Sequence, residues 1–329
     1  MDDKETSHQK NDDAPVHRAG MPIGAALRSD VMPEEHLRFI EEMIDRGGPE
    51  PHEYAVLLVW FDRTAAMVHE GRFTREEAAR FWLELTHRHF PESLQGHVVR
   101  KPHGYAGDFE IIDRIYHERT GGDESVRRWD EFFQAQHAPR AVRNRKAYFH
   151  EWLRQRVQGT SKRPLRLLNL GSGPARDVQE WCATEGTEAV HFDCVDMEAK
   201  AIAHASALCA PYLSAVRFHH ANVLRFKLER GCDLAWSAGL FDYLNDRLFV
   251  RLLKQLTRIV HPGGEIVIGN FGPSNPSRSY MEVAGDWVLI HRSAEELAAL
   301  AEAAGFASGD VCVDHEPEGV NLFLHIQIR

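Results

Sequence analysis

The stretch Leu165-Arg-Leu-Leu-Asn-Leu-Gly-Ser-Gly-Pro-Ala-Arg-Asp177 decides the fold. A Leu-rich run with the pattern of a buried strand stops at Gly171-Ser172-Gly173. A helical pattern carrying Val178, Trp181 and Cys182 then opens at Asp177. Strand, glycine turn and helix N-terminus, in that order, build a nucleotide-binding corner. Glycine permits the tight turn and lets backbone approach a ligand, while the helix end presents unpaired N–H groups.

Downstream of this corner the rhythm alternates. Strands are expected at 165–170, 191–196, 216–220, 232–237, 265–270, 310–314 and 322–327, with helices over 198–209, 246–259 and 293–304. The class is therefore α/β, a Rossmann-like doubly wound sheet of seven mostly parallel strands. The Pro-Glu-Gly link at 317–319 is too short for a crossover helix, so the last strand is antiparallel.

Upstream, residues 33–158 read as helices over 33–44, 54–68, 74–89, 109–118, 126–136 and 141–156. Thr74 is the N-cap of the third, with Glu77 as its capping-box partner. Residues 1–20 are polar and read as a disordered tail. The expected division is a tail at 1–20, a helical N-terminal lid or substrate domain at 21–160, and the α/β domain at 161–329, joined by a basic hinge at 159–164.

Composition narrows the function. The 329 residues are 43% hydrophobic and 27% charged, as in soluble globular proteins. A net charge of −10 argues against a nucleic-acid footprint. The five cysteines are widely spaced without a C-x-x-C pair, and the pairs His87/His89 and His219/His220 lack carboxylate support, so neither disulfides nor a metal site are expected. With no apolar run of transmembrane length and no basic-plus-apolar leader, a cytoplasmic address and no membrane partner are expected.

Ligands of open α/β sheets collect beyond the carboxyl ends of the strands. The first strand delivers Gly171, Ser172, Gly173 and Pro174. The second ends at Asp196-Met197, a carboxylate suited to a ribose diol. The third leads to Asn222-Val223, an amide and an apolar side chain suited to an adenine, and the fourth to Ser237-Ala238 and the aromatics Phe241 and Tyr243. A dinucleotide fingerprint wants a third glycine where Arg176 stands, and Asp177 brings negative charge to the helix end. That charge disfavours a phosphate there but not S-adenosylmethionine.

LLNLGSGPARD, CVDME, ANV and IVHPGGEIVIGNF resemble, in order, the motifs of class I S-adenosylmethionine-dependent methyltransferases, and the resemblance covers residues 165–329. Asn169 and Asn222 stand where acidic residues are frequent. More narrowly, KPHGYAGDFEIIDRIY and GVNLFLHIQI are similar to bacterial proteins assigned to biosynthesis of a 3-hydroxypalmitic acid methyl ester signal. Those proteins pair a helical region with a methyltransferase domain. The resemblance implies a small-molecule methyltransferase with S-adenosylmethionine as cofactor.

Tyr105 and Asp108 of the loop Lys101-Pro-His-Gly-Tyr-Ala-Gly-Asp108 are expected to face the cofactor as part of a lid, with Asp108 also able to cap the next helix. An ionised carboxylate acceptor needs orienting cations and no base. Lys101, His103 and Arg143 are expected near it, with Asn270 at the end of the fifth strand and Tyr280 from the loop that follows it. Other members of the basic run 140–146 would lie on a solvated helix face. An amine or hydroxyl acceptor needs a base, for which Tyr105, Tyr116, Tyr243, His103 and Glu282 are candidates. The expected partner is a small, anionic acceptor, a second copy of the chain being the protein partner considered. The competing classes are a non-catalytic S-adenosylmethionine-binding scaffold, a nucleic-acid or protein methyltransferase and, last, a dehydrogenase.

Overall fold

The computed structural model describes residues 33–228 and 231–329. The expected tail at 1–20 lies outside the described residues. The chain runs α1 (Glu34–Asp45), α2 (Tyr54–His69), α3 (Arg75–His89), α4 (Leu94–Arg100), α5 (Phe109–Tyr116), α6 (Glu124–Ala135) and α7 (His137–Gln158). It continues through β1 (Leu165–Leu170), α8 (Arg176–Glu185), β2 (Val190–Asp196), α9 (Ala199–Leu208), β3 (Val216–His220), β4 (Cys232–Ser237) and α10 (Asp246–Leu256). The last elements are β5 (Val260–Phe271), α11 (Arg278–Gly285), α12 (Ala294–Ala304), β6 (Val311–His315) and β7 (Asn321–Gln327).

The seven strands form one sheet in the order β3-β2-β1-β4-β5-β7-β6. β1 through β5 pair in parallel, and β7 is antiparallel to both β5 and β6. The order reverses beside β1, where a doubly wound sheet opens its ligand crevice. The expected Pro-Gly-Gly turn is absorbed into β5. Cys232 pairs with Val260 but Leu234 with Glu265, so His261–Gly264 bulge out of the ladder. Gly263, at φ +82°, supplies the left-handed backbone that the bulge needs.

Each core has a local sequence cause. On α3 the Thr74 hydroxyl accepts from the Glu77 N–H at 3.2 Å, and the Glu77 carboxylate accepts from the Thr74 N–H at 2.7 Å, so the capping box is formed. The helix then turns Ala78, Phe81, Trp82 and Leu85 inward onto Trp60 and Phe61 of α2. On α7 the inward stripe is Ala138, Ala141, Val142, Arg145, Phe149, Trp152 and Leu153, the three-to-four spacing of one helix face.

The cores do not divide at residue 160. The second half of α7 packs Phe149, Trp152 and Leu153 against Leu167, Trp181 and Trp236 of the sheet core. Conversely, α11 sends Tyr280, Met281, Val283 and Ala284 into the helical core. The turn formers of 271–280 predict a loop, yet helix α11 starts at Arg278, and Tyr280 packs edge-on against Phe61 and Phe132. Helix α4 was also missed. Its seven residues are too few to show a period, and it is set by the Ser93 cap, whose hydroxyl accepts from Gly96 N–H at 2.8 Å.

Candidate active site

The glycine corner is built by backbone. Gly171 and Gly173 sit at φ +64° and +52°, and Ala175 at +51° starts α8 without a side-chain cap. Asp196 holds the turn. Its Oδ2 accepts from Gly173 N–H and its Oδ1 from Glu198 N–H, both at 2.9 Å. Burial nonetheless raises its pKa above the ordinary carboxylate value, the backbone N–H groups opposing that rise.

From this corner a cavity of about 610 Å³ extends into the helical domain. One side carries Asn169, Gly171–Pro174, Asp196, Met197, Asn222, Val223 and Ala238. The other carries Val98, Ile112, Ile115, Phe133, Val142, Met281, Trp287 and Leu289, an almost wholly apolar surface. His103, Tyr105, Tyr116, Arg145, Asp177, Asp242, Tyr243 and Tyr280 also line it.

Five expected site residues are not among those lining the cavity. Lys101 ends α4 in a left-handed conformation and pairs with Asp286 at 2.6 Å. Arg143 is held by the Gln134 side chain at 2.7 Å and by Glu118 at 3.2 Å. Asp108 is fully buried, caps α5 by accepting from the Glu110 and Ile111 N–H groups, and pairs with buried His97 at 2.9 Å. Ser237 donates to the Leu170 carbonyl at 2.9 Å. Asn270 donates to Ile290 O and accepts from Arg292, each at 2.9 Å. In each case a protein partner competes successfully for the polar group, which spacing alone does not reveal.

The tyrosines reach the cavity, but as neutral phenols. Burial is the first cause of the raised pKa of Tyr105, Tyr116 and Tyr243 alike, with Asp196 adding to the rise at Tyr105 and Asp242 at Tyr243. None is a general base near neutral pH. Tyr243 Oη instead accepts from Trp287 Nε1–H at 2.9 Å, and the Tyr280 hydroxyl donates to Gln95. Glu282 does not line the cavity and pairs with Arg278 at 2.8 Å.

The loop 101–108 packs onto this region. A Cβ at Gly107 would lie 2.5 Å from Tyr243 Oη and 2.6 Å from Trp287, so only glycine lets the loop settle onto that pair. Arg176, which occupies the third-glycine position, serves the same junction. Its guanidinium grips Asp113 of α5 at 2.8 and 3.0 Å, tying the helical domain to the cofactor corner.

Two lining residues escaped the sequence reading. Arg145 was grouped with a solvated run, but it stands on the inward stripe of α7 with Val142 and Phe149, and that spacing was the available signal. Asp242 lies beyond β4. Its Oδ1 accepts from Phe271 N–H at 2.7 Å, and burial pushes its pKa up to about 7. Nothing in its local sequence distinguishes it.

The corner fits an adenosyl ligand. Asn169 Nδ2 and Ser172 Oγ are buried without a hydrogen-bond partner, and the space where a Gly173 Cβ would sit is open. Among the described residues no cluster of His, Cys, Asp and Glu could hold a metal, and no helix is long and apolar enough to cross a membrane.

Residues 167–264 match the family described as a methyltransferase domain. A possible exported protein from Bordetella parapertussis superimposes with a TM-score of 0.58 at 16% identity, over 79% of this chain and 98% of that one. The CMeT domain of the citrinin polyketide synthase superimposes with a TM-score of 0.51 at 15% identity, over 82% of this chain and 68% of that one. At these identities the two structures speak for the fold alone. No curated protein matches the chain in sequence. The sheet is Rossmann-like, a helical region precedes it, and the segment 167–264 within it is similar to a methyltransferase domain.

Proposed function

We propose that the protein transfers the methyl group of S-adenosylmethionine to an oxygen or nitrogen of a small acceptor whose body is largely apolar. The supporting observation is a single cavity that runs from the glycine corner to the apolar wall formed by α4, α5, α6, α7 and α11. Gly171–Pro174 and Asp196 would hold the adenosine, with Asn222 and Val223 at the base. When bound, the cofactor supplies an electrophilic methyl on sulfur.

The chain contributes position and dryness. Displacement at a sulfonium methyl is in line, so holding the acceptor against Tyr105, Tyr243 and Trp287 under a closed lid supplies much of the acceleration. The neutral phenols donate hydrogen bonds that orient the acceptor atom. Asp242, whose pKa burial raises to about 7, would take the proton of an acceptor that carries one. A carboxylate acceptor needs no such step, and among the described residues Arg145 is the only arginine or lysine lining the cavity that could face an anion.

Incubation with methyl-labelled S-adenosylmethionine and fractionated cell metabolites tests the proposal. A labelled small-molecule product with stoichiometric S-adenosylhomocysteine is expected. Tight S-adenosylhomocysteine binding without turnover on any fraction would instead favour a non-catalytic binding protein.

A further inference from the structure

Among the described residues, three buried polar atoms of the cavity lining have no hydrogen-bond partner: Asn169 Nδ2, Ser172 Oγ and His103 Nδ1. The first two belong to the glycine corner. His103 lies on the loop 101–108, between α4 and α5, the helices that supply Val98, Ile112 and Ile115 to the apolar wall. Its side chain is 9% exposed, and its ring packs against that of Phe109 with centroids 4.6 Å apart.

The other ring nitrogen is already taken. Nε2 stands 3.2 Å from Glu110 Oε2, in the first turn of α5. Burial works against ionisation of Glu110, yet hydrogen bonds from His103 and Arg114 hold its carboxyl below the ordinary value, so it accepts and does not donate. Nε2 therefore carries the hydrogen, and Nδ1 of the neutral ring presents a bare lone pair. A buried acceptor left unpaired is costly, and what completes it in a cavity is a ligand donor or an ordered water. A water needs several polar partners of its own. Here the neighbours are the Phe109 ring and His97, whose Nε2 is committed to Asp108 at 2.9 Å. A ligand donor needs no further partner.

We propose that His103, its tautomer fixed by Glu110, accepts a hydrogen bond from an O–H or N–H of the methyl acceptor. It thereby selects, among apolar molecules that fit the cavity, those that carry such a donor, because an analogue without one leaves Nδ1 unpaired. His103 is then a specificity-determining residue, and Glu110, which acts through it, a positioning residue. The proposal rests on the methyltransferase reading, since the cavity must hold an acceptor, and in that reading the ribose has Asp196 as its partner.

The test uses the full chain, isotopically labelled at histidine nitrogen and saturated with S-adenosylhomocysteine. The probes are benzyl alcohol and benzyl methyl ether, an O–H donor and its methylated counterpart, followed by nuclear magnetic resonance and calorimetry. His103→Phe identifies the His103 resonances by their loss. Wild type should show Nδ1 bare before the probe is added, and benzyl alcohol alone should move that resonance. Benzyl alcohol should bind about 5- to 30-fold tighter than the ether, the range of one hydrogen bond to a buried acceptor. In His103→Phe that preference should vanish with S-adenosylhomocysteine affinity unchanged.

Glu110→Gln keeps an acceptor for Nε2–H and should keep both the tautomer and the preference. Glu110→Leu should lose both, a change that a purely structural role would not produce, and this pair keeps the test open if His103→Phe does not fold. A preference that survives His103→Phe overturns the proposal. An Nδ1 resonance that neither probe moves gives the nitrogen to a buried water and overturns it too. Weakened S-adenosylhomocysteine binding in His103→Phe would place the nitrogen on the cofactor, with the same consequence. Wild-type protein that does not bind S-adenosylhomocysteine overturns the methyltransferase reading itself.

Discussion

The two ends of the cavity are assembled in opposite ways. The glycine corner comes from a short run of chain, Gly171–Pro174, completed by Asp196 from the adjacent strand, and its donors are backbone N–H groups. The apolar wall collects side chains from α4, α5, α6, α7 and α11, elements separated by as much as 190 residues in sequence. The first end needs only local conformation and one strand pairing. The second exists only once the helical core has closed around Tyr280 and Met281. A ligand end made of backbone therefore tolerates side-chain change, whereas one made of packed side chains is shaped by every element that contributes to it.

This contrast can be broken at its seam. Asp108 caps α5 and partners buried His97 without lining the cavity. Asp108→Ala should lower stability by about 2–4 kcal/mol, the scale of a lost helix cap together with a buried imidazole left without its hydrogen-bond partner, as measured by denaturant unfolding. Loss below 1 kcal/mol would mean that the helical side does not depend on this junction. Asp196→Ala attacks the other end. It should weaken S-adenosylhomocysteine binding by about 1.5–3 kcal/mol by calorimetry, because the carboxylate both holds the turn at Gly173 and faces the ribose in the proposed mode. An unchanged dissociation constant would sink that assignment.

Smaller effects sharpen the comparison. Asp242 has a folded pKa near 7 against an unfolded value near 4, so the folded chain binds the extra proton across that window. Its contribution to stability is complete below about pH 4 and is lost as pH rises through 7, at a slope of at most about 1.4 kcal/mol per pH unit. Asp242→Asn should flatten this part of the stability–pH curve; an unaltered slope would show that the carboxyl titrates normally. Thr74→Ala, far from either end, should cost about 1 kcal/mol through loss of the capping box and leave S-adenosylhomocysteine affinity untouched. A binding change in that variant would erase the separation between fold and site.

The strands were legible because their signals are local. LRLLNL and CDLAWS are wholly or nearly buried in the middle of a parallel sheet, so their composition is mostly apolar rather than alternating. Capping boxes at Thr74 and Ser293 likewise announce their helices within four residues. α11 was not legible, since Gly272-Pro-Ser-Asn-Pro276 reads as loop, and what makes a helix of the following residues is the aromatic cluster waiting at Phe61, Phe132 and Phe133.

The amino-acid sequence by itself determined the doubly wound sheet, the antiparallel last strand and the place of the glycine corner. Each follows from hydrophobic period, glycine backbone freedom and loop length, all of which act over a few residues. Tertiary structure alone decided which polar groups remain free for a ligand. Lys101, Asp108, Arg143 and Asn270 found protein partners, while Arg145, indistinguishable from Arg143 by composition, was turned inward and among the described residues keeps only a long contact to the Tyr116 hydroxyl. Pairing depends on which side chains meet across the folded molecule, and that information is spread over the whole chain rather than written beside any one residue.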